Sequence, residues 1–180
     1  MRKINLKRLT LASVLLALGM VLPLLTGQIK EIGDSLLPMH LAIMLCGLIC
    51  GWKYGAVTGA VLPFLRSIVF GMPKPYPNAV WMSLELCTYG FVIGLLYSLS
   101  SKKPLWYLYP CLLASMVSGR IVWGIAKAVL LGIDSIPFTM EMFITGGIID
   151  ALPGIALQLI LIPVIIAVYN RLSKESVTNC

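Results

Sequence analysis

Charge is scarce in this chain: of 180 residues 12% are charged and only seven are acidic. A soluble domain carries roughly a quarter charged residues, and the connections between the apolar runs are too short to fold alone, so a soluble domain, an ATP-binding cassette and a folded tail are excluded. Histidine occurs once, and there is no HExxH helix, no GxSxG elbow and no GxxxxGK[ST] loop. Metalloprotease, serine-hydrolase and nucleotide-cradling chemistries therefore lack their residues. The acidic residues are too dispersed to form a carboxylate metal motif, so the chain reads as a non-enzyme without metal or cofactor. The five cysteines, Cys46, Cys50, Cys87, Cys111 and Cys180, show neither the loop spacing of a disulfide framework nor a CxxC pair. They read as small packing residues.

What is present is hydrophobicity: 59% of residues are apolar and the mean hydropathy is +0.94. A bilayer core is crossed by about 20 mostly apolar residues, fewer where neighbours bury the helix. Six such segments can be drawn: Leu9 to Leu25, Leu36 to Cys50, Tyr54 to Phe70, Ala79 to Leu99, Leu108 to Leu131, and Phe143 to Tyr169. The expected fold is an all-α integral membrane protein, six transmembrane helices in one compact bundle that forms a single domain over residues 1–180. The basic, then apolar N-terminus has no A-x-A-like cleavage site and reads as the first span.

The net charge of +7 is a topology signal and not a nucleic-acid footprint. Arg2, Lys3, Lys7 and Arg8 precede the first segment, Lys53 lies in the second connection, Lys102 and Lys103 in the fourth, and Arg171 and Lys174 follow the last. The alternate side has only Lys30 and Lys74. Lys and Arg in short loops stay cytoplasmic, which places both termini in the cytoplasm and agrees with an even number of spans.

Small residues mark where helices approach closely. Ser13 and Ala17 lie one turn apart on the first segment, a groove for an internal neighbour or for another subunit. Gly47, Gly51, Gly55 and Gly59 recur every four residues through LCGLICGWKYGAVTGAV and predict a tight hairpin, with Gly51 ending the first helix. On the opposite side, Gly27 to Leu37 reads as a freer polar loop and GMPKPYPN, with three prolines, as a stiff one. The two are a lid and a rim, or simple chain reversals.

Charges within the apolar segments carry the functional argument, because charge in hydrocarbon persists mainly where it faces a cavity, a protein interior or a partner. At about 1.5 Å per residue, Arg66, Glu85, Arg120, Lys127 and Asp150 all fall in the outer half of the bundle. Arg120, Trp123 and Lys127 form one helical stripe, and Trp81, Glu85 and Tyr89 another. Aromatic rings beside charged heads suit a small planar or hydroxylated molecule; the alternative is that the charges neutralise one another as interhelical ion pairs. His40 and Asn78 are secondary candidates, His40 as a pocket-lining or interfacial residue and Asn78 as a ligand contact or a helix cap.

In order along the chain, the basic N-terminus, the Ser13–Ala17 turn, the hairpin CGLICGWKYGAVTGAV and the stretches RSIVFGMP, GRIVWGIAKAVL and LPGIALQLILIP resemble the substrate-binding S component of an energy-coupling factor (ECF) vitamin transporter. The resemblance covers essentially the whole chain. It implies capture of a vitamin or precursor from outside, closure of the loop after the first span, and toppling of the protein to release its cargo inward. It further implies an ECF coupling transmembrane subunit, met by an A-x-x-x-A-like surface in which Ser13 replaces one alanine, and two ATPase subunits that hydrolyse ATP. The setting it implies is the bacterial cell membrane. Pantothenate-, pyridoxine- or pyrimidine-, and α-ribazole-like substrates fit three basic and two acidic groups. A self-sufficient small-solute carrier and a structural membrane subunit are the alternatives.

Overall fold

The computed structural model describes residues 6–25, 38–100, 105–133 and 138–178. The loop Gly27 to Leu37, with Lys30, lies outside them, as do Arg2, Lys3, Lys102, Lys103 and Cys180. The described chain is helical: α1 (Leu6–Leu25), α2 (Pro38–Cys50), α3 (Trp52–Phe70), α4 (Val80–Leu99), α5 (Leu105–Ile133), α6 (Met140–Ile144) and α7 (Leu152–Thr178).

Among the described residues four stretches are long and apolar enough to cross a membrane: Leu6–Leu24, Pro75–Leu99, Leu105–Ile133 and Met140–Leu172. Helix α2, with 13 residues, is about 20 Å long, shorter than a bilayer core of about 30 Å. Its environment explains why so short a helix is so apolar. All but three of its residues are buried, and α1, α3, α4 and α7 pack around it; a helix apolar on every side belongs inside a bundle. The lipid-facing pattern is the converse. On α5, Leu113, Val117, Ile121, Ile125 and Val129 recur every four residues and are all exposed, as expected of a helix whose apolar stripe faces hydrocarbon.

The glycine hairpin forms as its spacing predicts. Gly51 stands between α2 and α3 with φ +101°, a conformation that a Cβ resists. The other glycines allow backbone to meet backbone, and their partner is α4. A Cβ at Gly47 would sit 2.6 Å from the Gly90 carbonyl oxygen, one at Gly55 2.7 Å from that same oxygen, and one at Gly94 2.6 Å from the Trp52 nitrogen. Gly59 meets the backbone at Leu86. Hydroxyls add contacts between the helices: Ser83 donates to the Ala60 carbonyl across α4 and α3, and Thr58 of α3 lies 3.4 Å from Cys46 Sγ of α2.

The last apolar segment, Met140–Leu172, is one stretch long and apolar enough to cross a membrane, and a wide helical turn marks it at Thr145–Ile149, where the Asp150 N–H donates to the Thr145 carbonyl at 2.9 Å and α6 gives way to α7. Gly146 and Gly147 weaken the helix there, and Pro153, lacking an N–H, suits the first turn of α7.

Candidate functional site

Helices α2, α4 and α5 bring three titratable side chains together near one end of the bundle. Glu85, on α4, is 2% exposed, and His40, in the first turn of α2, is equally buried. Arg120 Nη1 stands 3.1 Å from Glu85 Oε1, and His40 Nε2 stands 3.4 Å from the same oxygen. Tyr89, one turn along α4, meets His40 edge to face at 5.0 Å between ring centres. Its ring lies against Gly119, where a Cβ would come within 2.8 Å, so the glycine preceding Arg120 makes room for the tyrosine.

Charge proximity does not exhaust the polar atoms. Glu85 Oε1, both ring nitrogens of His40, and Nε and Nη2 of Arg120 are buried without a hydrogen-bond partner among the described residues. The short distances are therefore ion-pair distances without hydrogen-bond geometry. Leaving a buried polar group unsatisfied costs about 1–3 kcal/mol, more when it is charged, which is unusual for a core built only for stability.

Aromatic rings adjoin this cluster. The Arg120 guanidinium lies 5.8 Å from the Trp123 ring centre. The Lys127 ammonium is 4.6 Å from Trp123, 5.6 Å from Trp81 and 5.8 Å from Phe138. Phe143 of α6 is 6.1 Å from Trp123 and packs on Gly124. The wide turn covers the far side of the indole: a Cβ at Gly147 would be 3.1 Å from Trp123 Cζ3. Among the described residues no group of three metal-ligating side chains forms.

The model of the ECF transporter substrate-specific component matches residues 7–166. The chain belongs to that family. Neither the curated proteins nor the solved structures give a match. The family is transport-related, and the apolar helices of this S component are those of a membrane protein.

The remaining candidates of the S component lie elsewhere. Arg66 is buried, but its Nη1 donates to the Met20 carbonyl at 3.2 Å, its Nε to Met72 at 3.4 Å, and its guanidinium lies 5.6 Å from Phe70; it ties the end of α1 to the end of α3. Asp150 is exposed in the turn before α7. Asn78 is half-buried in the wide turn Pro75–Ala79, and no side chain caps the start of α4. Ser13 and Ala17 are exposed on α1, where Ser13 donates to Leu9 at 3.1 Å. The inner face of α1 is made by Ala12, Leu15 and Gly19 instead.

Phe138, Phe143, Gly119 and the Gly146–Gly147 pair join the site without having been singled out in the sequence. The signal was present in Gly119 beside Arg120 and in the aromatics of FTMEMF. Two cavities lie away from the cluster. One of about 320 Å³ is an apolar cleft between α4 and α5 lined by Val80, Leu84, Ile125 and Val129; one of about 120 Å³ lies among Ile49, Tyr97, Ile166 and Asn170.

Proposed function

We propose that this S component captures a small vitamin or vitamin precursor from outside a bacterial cell, for uptake driven by ATP hydrolysis in two partner ATPase subunits. The polypeptide crosses the membrane six times with both termini cytoplasmic, so that His40, Glu85, Arg120 and Lys127 lie in the outer half. One observation carries the reading: Glu85, His40 and the half-buried Arg120 meet, with buried polar atoms that make no hydrogen bond among the described residues, beside a wall of aromatic rings. Such atoms are satisfied by a polar ligand held against Trp123, Trp81 and Tyr89, and pantothenate-, pyridoxine- or pyrimidine-, and α-ribazole-like molecules supply the hydroxyls and rings. Asp150 and Asn78 serve at the rim, and Arg66 steadies it from behind through the Met20 and Met72 carbonyls. The exposed Ser13–Ala17 face of α1 docks the coupling transmembrane subunit, since internal packing leaves it uncovered.

A structural role for the charges is the second reading, favoured by the 3.1 Å approach of Arg120 to Glu85. Native mass spectrometry of the purified chain separates the two. A retained small molecule supports capture; an empty chain whose Arg120→Met variant is destabilised and is rescued by adding Glu85→Gln supports the structural pair.

A further inference from the structure

We infer that the captured molecule is a carboxylic acid, bound as its anion on the outer edge of the Arg120 guanidinium; this rests on the capture reading above. Arg120 offers Nη1 to Glu85 and keeps Nε and Nη2 buried with no partner among the described residues. Those two nitrogens form the side-on fork of arginine. They present two parallel N–H donors in one plane, a spacing that fits the two oxygens of a carboxylate. A carboxamide matches this fork with one acceptor only and turns a donor towards the other N–H.

The surroundings narrow the class further. The carboxylate of Glu85 lies on the opposite side of the same guanidinium, so a doubly charged phosphate monoester would bring two negative charges close to a third, whereas a monoanion adds one. A cationic ligand is opposed by Arg120 itself and by Lys127, 4.6 Å from the Trp123 ring. That indole flanks the guanidinium at 5.8 Å and gives the body of the acid a flat apolar surface. His40 faces Glu85 through Nε2 at 3.4 Å, and its other ring nitrogen, Nδ1, is buried without a hydrogen bond among the described residues and can meet a hydroxyl or amide of the same molecule.

The test uses the full chain purified in detergent and read by native mass spectrometry, with the retained molecule released, weighed and methyl-esterified. The expected result is one small molecule whose mass rises by a single methyl ester. Arg120→Lys keeps the charge beside Glu85 but loses the planar fork, and should lower retention about 30-fold or more with the melting temperature of the emptied protein unchanged. The methyl ester of the released molecule, offered back to the emptied wild type, should be held about 30-fold or more weakly than the acid, because it keeps the body of the molecule and loses the anionic pair of oxygens that fits the fork. That comparison covers the case in which Arg120→Lys fails to fold. A retained molecule that takes up no methyl group, or two, overturns the inference while leaving capture intact. So does full retention in a folded Arg120→Lys, or equal retention of the acid and its methyl ester by the wild type. If nothing is retained and cells producing the chain with its partners take up nothing, capture falls and the inference falls with it.

Discussion

Arg66, which is buried, and Arg120, which is half-buried, both stand in apolar segments, yet they do different work. Arg66 is spent on backbone carbonyls of Met20 and Met72, whereas Arg120 meets a carboxylate and leaves two donors over. Residue type alone does not separate them, because the partners of Arg66 are main-chain carbonyls, one of them, that of Met20, 46 residues away in sequence. Arg66→Met should therefore cost stability, about 1–3 kcal/mol for the carbonyls it deserts, and leave ligand affinity within a few-fold; thermal unfolding and titration on the same variant check both. The pairing of Glu85 with Arg120 was foreshadowed by their stripes on neighbouring segments. His40 is harder to read from sequence, since one histidine at the start of a segment carries no signal of the carboxylate it will face.

At the scale of elements, the hairpin of α2 and α3 was legible in its four-residue glycine spacing, while its partner was not. Gly90 and Gly94 on α4 share that spacing and receive the close approach of Gly47, Gly55 and the Trp52 backbone. In lipid such contact is the main source of helix association, and Glu85 sits on α4 little more than a turn from Gly90. Gly55→Leu should thus separate α3 from α4, lower the melting temperature through an overpacking cost of about 1–3 kcal/mol and weaken ligand retention indirectly; a variant melting like the wild type would contradict the seam. The wide turn before α7 was not legible, because an apolar run with two glycines still reads as helix until Trp123 is placed beneath it. The exposed face of α1 makes the opposite prediction. Ser13→Leu or Ala17→Leu should impair co-purification with the coupling subunit and leave retention by the solitary chain intact, and equal loss of both would mean that the face is packed internally.

For the whole molecule, nine flanking basic residues against two are the ground for the proposed orientation. With the five native cysteines replaced, a cysteine at Lys74 should label from outside intact cells and one at Lys102 only after permeabilisation; the reverse pattern would move the polar cluster to the cytoplasmic half. The cluster gathers α2, α4 and α5 and adjoins the turn before α7, so on the proposed function ligand binding draws on most of the bundle at once. Removing a desolvated charge-assisted contact costs about 2–5 kcal/mol, or roughly 30- to 4,000-fold in affinity. The most direct test is titration of the molecule found by native mass spectrometry against the wild type, Arg120→Met, Trp123→Ala and Asp150→Asn, each first shown to be folded. Affinity should fall by that range for Arg120→Met and by about tenfold or more for Trp123→Ala, with the smallest change at the exposed Asp150; unchanged affinity in all three would contradict the assignment of the site.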